Sequence, residues 1–329
     1  VYLQSMLNIP YEDIEGNVKQ AVELEKAGCE IQRVAIPNSD AIKLIPAIKN
    51  AINTPLVADI HFDYKLALQA LDAGIDKIRI NPGNIGCDEY VKLVANACNL
   101  KKVPIRIGVN AGSLEKNILQ KYGSPTPQAL VESALYHVSI LNKFDFDDII
   151  ISIKSSNVKT MLESYRILAE KTSYPLHLGV TEAGTLTMGI VKNSIGIGGL
   201  LLDGIGDTIR VSLTANPIEE IKAGKYILTA VDKNRTGSPE IISCPTCGRT
   251  KIDVISLANK VEKALCDSKK KIKVAVMGCV VNGPGEAKEA DIGVAGGDKC
   301  GVIFKKGEVI KKVKEEEIVN ALLFEIEKM

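Results

Sequence analysis

Residues 55–83 read PLVADIHFDYKLALQALDAGIDKIRINPG, and their pattern decides the fold. Two short apolar runs, PLVADIH (55–61) and KIRINPG (77–83), bracket YKLALQALDAG, whose apolar positions recur at helical spacing and whose closing glycine suits a helix C-cap. A strand, a helix and a second strand in that order form one βαβ unit, and nearly continuous apolar strands belong to a parallel sheet covered by helices. Runs of the same kind recur outward from it: VYLQSM (1–6), EIQRVAI (30–36), PIRIGVN (104–110), DIIISIK (148–154), LHLGVTE (176–182) and TIRVSLT (208–214). Eight such units are the number that closes a (β/α)8 TIM-type barrel. An open doubly wound sheet is the runner-up. It lacks a dinucleotide fingerprint, because in SIGIGGL the last position of G-x-G-x-x-G counted from Gly196 falls on Leu201.

The composition limits what such an α/β protein does. Forty-one basic residues against 40 acidic ones, with no tryptophan, give neither the positive field nor the stacking surface of a nucleic-acid binder. The longest apolar stretches are too short and glycine-rich to span a bilayer, and the N-terminus shows no signal-peptide pattern. The expectation is a cytoplasmic protein whose eight cysteines are reduced, so that clustered cysteines point to metal or redox chemistry.

In a barrel of this type the chemistry sits at the C-terminal strand ends. Read in order, these carry Gln4, Arg33, Asp59 and His61, Arg79 and Asn81, Arg106 and Asn110, Lys154, Glu182, and Arg210 with Ser212. A single strand-end arginine is as readily a salt bridge to a neighbouring loop. Five basic residues from five strands instead suggest a multiply charged anion, since guanidinium forks bind phosphate oxygens bidentately. No Walker-type lysine loop accompanies them, which argues against a nucleoside triphosphate. Glu182 is a candidate proton donor or base, or else an ion-pair partner of Lys154. His61 has an ordinary reading as a hydrogen-bonded histidine, and His137 and His177 look more ordinary still.

Past Thr214 the rhythm breaks, and a second, smaller α+β domain is expected over 236–329, after a barrel domain over 1–235. SCPTCGRT places Cys244 and Cys247 two residues apart, a spacing shared by zinc knuckles, redox dithiols and iron–sulfur sites. A helical pattern carrying Cys266 on its apolar side and a strand, IKVAVMGC, lead to MGCVVNGPGEA (277–287), where Cys279 and Glu286 flank a rigid Asn-Gly-Pro-Gly corner. Cys266 reads as a core residue and Cys300 as a turn or strand residue with a weak claim as a ligand.

Together CPTCGR, MGCVVNGPGEAKEADIGVAGG, PLVADIHFDYKLAL, IRINPGNIG, IRIGVNAGSL and GIGDTIRVSL resemble the 4-hydroxy-3-methylbut-2-enyl diphosphate synthase family over nearly the whole chain. The resemblance implies a (β/α)8 barrel followed by an iron–sulfur domain, with a [4Fe–4S] cluster held by Cys244, Cys247, Cys279 and Glu286. It implies an oxidoreductase of the methylerythritol phosphate route to isoprenoids. Such an enzyme opens and reductively dehydrates 2-C-methyl-D-erythritol 2,4-cyclodiphosphate with two electrons from ferredoxin or flavodoxin. Arg33, His61, Arg79, Arg106, Asn110, Lys154, Arg210 and Ser212 are then expected to bind substrate, and Glu182 to assist proton transfer. Glu286 would be the exchangeable, hard ligand among three soft thiolates, giving way to an oxygen of the substrate. A head-to-tail homodimer is implied as well. The chain departs from the family pattern in two places: it begins at Val1, where the family carries a further segment ahead of QSM, and it reads LNIPYED after that triad. Two readings of other classes stand beside this one: a non-redox barrel synthase acting on a phosphorylated substrate with a structural zinc knuckle, and a binding module.

Overall fold

The structure is a computed structural model that describes residues 1–233, 237, 239–265, 268–280, 285 and 287–329. The chain forms two compact units, Val1–Lys233 and Asn234–Met329.

The first unit is a (β/α)8 barrel. Its strands are β1 (Tyr2–Met6), β2 (Ile31–Ala35), β3 (Leu56–Asp59), β4 (Lys77–Ile80), β5 (Ile105–Asn110), β6 (Ile149–Lys154), β7 (His177–Leu178) and β8 (Thr208–Ile209). All pair in parallel in the order β6-β5-β4-β3-β2-β1-β8-β7, and the ring closes between β6 and β7 through one bridge, Ile151 to Leu176. The last two strands are much shorter than the apolar runs that foretold them. Close approach explains part of this: a Cβ on Gly179 would lie 2.7 Å from the carbonyl oxygen of Arg210, so the backbones touch there without a regular ladder.

The helices obey local rules. In α1 (Ile14–Ala27) Asp13 caps the start by accepting from Gly16 N–H, and Gly28 ends it at φ 95°. In α3 (Tyr64–Asp72) the C-cap is Ala73, and the expected glycine, Gly74, takes the left-handed turn one residue later. Pro127 and Pro217 open α6 (Pro127–Asn142) and α9 (Pro217–Ala230), where a missing N–H is no loss.

Strand alternation sorts the side chains into two layers. Leu56, Ala58, Ile78, Ile80, Ile105, Ile107, Ile151 and Ile153 join the apolar core with the helices. The alternate residues, among them Arg79 and Arg106, turn into the barrel. Interiors of such barrels are usually filled by branched apolar side chains. Here two of the largest fully buried side chains are arginines, so the core between sheet and helices must carry the stability.

The second unit is α+β. Its sheet runs in the order β13-β12-β11-β10-β9, from β9 (Glu240–Ser243), β10 (Lys273–Met277), β11 (Ile292–Gly297), β12 (Cys300–Lys305) and β13 (Glu308–Lys314). The first three are parallel and the last three antiparallel. One sheet face packs on α10 (Val254–Leu265) and a final helix, Ile318–Glu327, through Val261, Leu265, Val276, Ile303 and Leu322. Ala275, Met277, Ala287, Ala295 and Phe304 form a second, smaller cluster.

Candidate active site

The barrel mouth is built around an excess of positive charge. Register places Arg79 beside Arg106, Asp59 beside Arg79, and Asn110 beside Lys154. Asp59 is the central counter-ion, with Arg79 Nη1 at 3.2 Å, Arg33 Nε at 3.7 Å and His61 Nε2 at 3.8 Å. Burial raises its carboxyl, but the neighbouring His61, Arg33, Arg79 and Lys154 reverse that and hold it far below the usual range. Arg79 also donates through Nη2 to Gly108 O at 2.8 Å, while Gly108 N donates to Asn81 Oδ1 at 2.8 Å. A Cβ on residue 108 would lie 2.5 Å from Arg79 Nε, so only glycine leaves that guanidinium its path.

Glu220, on α9, holds the other side. It accepts from Ser5 Oγ at 2.8 Å, from Leu213 N at 3.1 Å and from Arg210 Nη2 at 3.3 Å. Arg33, Arg79 and Arg210 therefore have carboxylate partners, as the salt-bridge reading required. Arg106 and Lys154 have none among the described residues. Arg106 is 1% exposed and donates only to Gln4 Oε1 at 3.3 Å, leaving Nε and Nη2 without partners. Burial, with Arg33 and Arg79 close by, pushes its pKa well below the ordinary value. Burial, then Arg79 and Arg33, pushes the Lys154 ammonium down to about 6, and Arg33 falls to about 10, chiefly through burial.

A cavity of about 40 Å³ opens among Arg33, Ser152, Lys154, His177, Arg210 and Ser212. The His177 ring sits there with Nδ1 2.7 Å from Thr208 Oγ1, and burial keeps it neutral. Sequence reasoning treated His177 as an ordinary strand residue and left Glu220 and the pairing of Gln4 with Arg106 out of the site. His61 stands at the rim, with its side chain 53% exposed. Glu182 is exposed, holds a left-handed φ of 50° and forms no ion pair with Lys154.

In the second unit Cys244 follows β9 directly, and Cys279 follows β10 after Gly278. Gly278 N–H donates to Cys244 Sγ at 3.1 Å, and Gly278 O accepts from Lys251 N at 3.0 Å. The turn between is closed by Thr250, whose Oγ1 accepts from Cys247 N at 3.2 Å. These bonds stitch the CPTC turn onto Gly278 at the C-terminal ends of two parallel strands. Cys247 is exposed, and hydrogen bonds from the Arg249 backbone and side chain lower its thiol pKa. Cys300, on β12, is partly buried. Glu286 and Cys266 lie outside the described residues. Among the described residues no three His, Cys, Asp or Glu side chains form a ready single-ion site. The described donors nevertheless suit an iron–sulfur cluster: unpaired thiols, with a backbone amide aimed at Cys244 Sγ, a kind of hydrogen bond that tunes such clusters.

Residues 1–225 match the GcpE TIM-barrel domain and residues 240–328 the GcpE protein C-terminal domain. The 4-hydroxy-3-methylbut-2-en-1-yl diphosphate synthase (flavodoxin) of Clostridium perfringens is 62% identical over 327 residues, which span 99% of this chain and 93% of that relative. The protein of the same name from Fusobacterium nucleatum is 60% identical, over 98% of this chain and 91% of its own length. Among solved structures, the type I 3-dehydroquinate dehydratase of Clostridium difficile superposes with a TM-score of 0.51 at 15% identity, over 70% of this chain and 92% of that one, a likeness of fold alone.

Proposed function

Because the chain belongs to the GcpE family, we propose that it makes 4-hydroxy-3-methylbut-2-en-1-yl diphosphate by opening and reductively dehydrating 2-C-methyl-D-erythritol 2,4-cyclodiphosphate. Two electrons and two protons are taken up and one water leaves. The observation that carries this reading is Arg106, a buried guanidinium with two unpartnered N–H groups in a barrel mouth that already holds more cations than carboxylates. A buried charge of that kind is costly unless a ligand completes it.

The binding residues divide the work. Arg106 offers Nε and Nη2 to diphosphate oxygens. Arg79 and Arg33, held by Asp59, and Arg210, held by Glu220, are fixed before the anion arrives, so little ordering is left for binding to do. Asn110 and Ser212 orient the sugar-derived part at the rim, with His61 beside them. Glu182, exposed at the end of the strand-seven segment, passes a proton to the departing hydroxyl. Cys244, Cys247, Cys279 and Glu286 would hold a [4Fe–4S] cluster, which when bound supplies the two electrons one at a time. Flavodoxin is the electron donor named for the relatives, and we assign the same donor here. The seven cysteines among the described residues are unpaired, which fits a reducing cytoplasm, and no described helix is long and apolar enough to cross a membrane. A homodimer fits one face of α8 (Leu186–Leu202), where Met188, Val191, Ile195 and Leu202 stand 47–74% exposed.

The test is direct. Anaerobically purified protein is expected to be brown, to contain iron and sulfide, and to convert the cyclodiphosphate with reduced flavodoxin. Colourless protein holding zinc, without turnover, would favour the non-redox synthase instead.

Lys154 adds a pH signature. Its amine, at about 6 in the free barrel against an ordinary 10.5, is mostly neutral at pH 8. An entering dianion favours the ammonium and draws a proton onto it, so affinity should fall as pH rises above about 6 and level off below. The cyclic diphosphate has no proton of its own to lose near neutrality. Folding shows the opposite sign: the unfolded lysine keeps its proton to about 10.5, so Lys154 lowers stability most below pH 6 and progressively less as pH climbs between those values. Calorimetry at pH 8 in buffers of different ionisation enthalpy should register uptake of up to one proton per ligand in wild type and less in Lys154→Met.

A further inference from the structure

The residue that sequence reasoning passed over most completely is His137. It lies on α6, an outer helix whose buried side is built mostly from apolar residues such as Leu130, Ala134, Val138 and Leu141, with Ser133 as the other buried polar side chain, and it is 2% exposed. A leucine would fill that place without needing any partner. The imidazole instead makes two polar contacts, both to loops at the C-terminal ends of strands. Its Nδ1 accepts from Gly83 N–H at 3.1 Å, in the turn after β4, and its Nε2 lies 2.7 Å from Glu115 Oε1, in the segment after β5. Because a backbone N–H occupies Nδ1, the ring hydrogen belongs on Nε2, which therefore donates to the carboxylate.

Two details show how tight this bracket is. A Cβ on Gly83 would lie 2.8 Å from His137 Cε1, so glycine is needed there for space, at a position with no left-handed backbone. Glu115 is partly buried, its Oε2 has no hydrogen-bond partner, and His137 is the foremost of the groups that stabilise its carboxylate, ahead of its own backbone and the Ser133 side chain. Burial alone would raise this carboxyl, and the bond from His137 leads the contributions that bring it below its ordinary value. The two bracketed segments carry Asn81, which fixes Gly108 and so the path of Arg79, and Asn110 at the end of β5.

We propose that His137 is a positioning residue for the barrel mouth, clamping the loops after β4 and β5 to one helix so that Arg79 and Asn110 stand ready for the anion. The inference rests on the substrate reading above, for which those side chains are the ligands. Without the clamp, Glu115 turns toward water and draws residues 111–114 with it, while the 82–84 turn loses the hydrogen bond that ties Gly83 to α6.

Two substitutions separate the arms. His137→Asn keeps an acceptor near Nδ1 and loses the donor to Glu115, whereas His137→Gln keeps a donor near Nε2 and loses the acceptor for Gly83. Hydrogen exchange should therefore quicken over residues 111–118 in the first and over 82–85 in the second, each leaving the other loop at its wild-type rate. In the iron-loaded enzyme KM for the cyclodiphosphate should rise roughly tenfold in either variant while kcat changes less, the mark of lost preorganisation. Glu115→Gln, which still accepts from Nε2, should stay near wild type, and the double variant His137→Asn with Glu115→Ala should be no worse than His137→Asn alone. Should a His137 variant fail to fold, Glu115→Ala removes the acceptor for Nε2 and leaves the bond to Gly83 in place, so exchange should quicken over 111–118 and stay at the wild-type rate over 82–85. Wild-type exchange in both loops, or a KM unchanged in folded variants, overturns the proposal. Hydrogen exchange needs no reaction, so a wild type that does not turn over counts against the assigned chemistry and leaves the clamp to be judged by its loops.

Discussion

Arg106→Met is expected to raise the thermal stability of the protein and at once to cut its turnover by orders of magnitude. The wild-type guanidinium is 1% exposed, has one hydrogen bond, to Gln4, and is repelled by Arg33 and Arg79. Methionine fills a similar volume without the charge. Replacing buried ionic groups by apolar side chains is often stabilising by about 1–4 kcal/mol, reduced here because Gln4 Oε1 loses its donor. Turnover should fall by roughly 10²–10³, the cost of removing a fixed donor from a developing anion. The iron content should not change. Arg79→Met is the control, since it breaks the contacts with Asp59 and Gly108 and should lower stability. Scanning calorimetry and a turnover assay on the same samples decide the matter: a less stable Arg106→Met that still turns over would mean that this arginine is a structural post and not an anion ligand.

Cys279→Ser carries the other large effect. It follows the glycine whose N–H reaches Cys244, at the end of β10, and serine offers iron a poor, hard and mostly protonated ligand. The variant is expected to lose its iron, its colour and its turnover, by more than the roughly 10–100-fold typical of losing a partner one layer behind a metal. Cys244→Ser and Cys247→Ser should behave alike, and Cys300→Ser should retain all three properties. Full iron in Cys279→Ser would remove it from the ligand set. The same variant probes assembly. Mixed with Lys154→Ala, it should recover about a quarter of wild-type activity if each barrel is served by its partner's cysteines, since half the randomly exchanged dimers then hold one intact site of two. Verified mixed dimers without activity would assign each barrel to the cysteines of its own chain.

The barrel was legible because eight apolar runs spaced by helical patterns leave few other folds, and the charged strand ends stood out against them. The lengths of β7 and β8 were not legible, because LHLGVTE and TIRVSLT keep their apolar alternation past the point where Gly179 meets Arg210 and the ladder stops. The partners of the charged residues were hidden for a different reason. Glu220 sits on an amphipathic helix, where an acid usually faces water, and Gln4 lies 102 residues from the arginine it meets. His137 carries the one clue that could have been used, a histidine among apolar residues on the inner side of a helix. Its partners are 54 residues upstream at Gly83 and, at Glu115, in a loop with no motif of its own.

The cationic mouth also bears on how this protein could be inhibited. A compound that satisfies Arg106 and its neighbours must present several anionic oxygens, and such compounds cross lipid bilayers poorly. Lys154 offers a way around that difficulty, because burial and the neighbouring Arg79 and Arg33 pull its amine far below the ordinary lysine range and so favour the neutral form, which has a lone pair to give. An uncharged molecule with one acidic hydrogen-bond donor aimed at Lys154 Nζ and one neutral acceptor for Arg106 would use both groups as the empty barrel holds them. It would trade some affinity for passage across a bilayer.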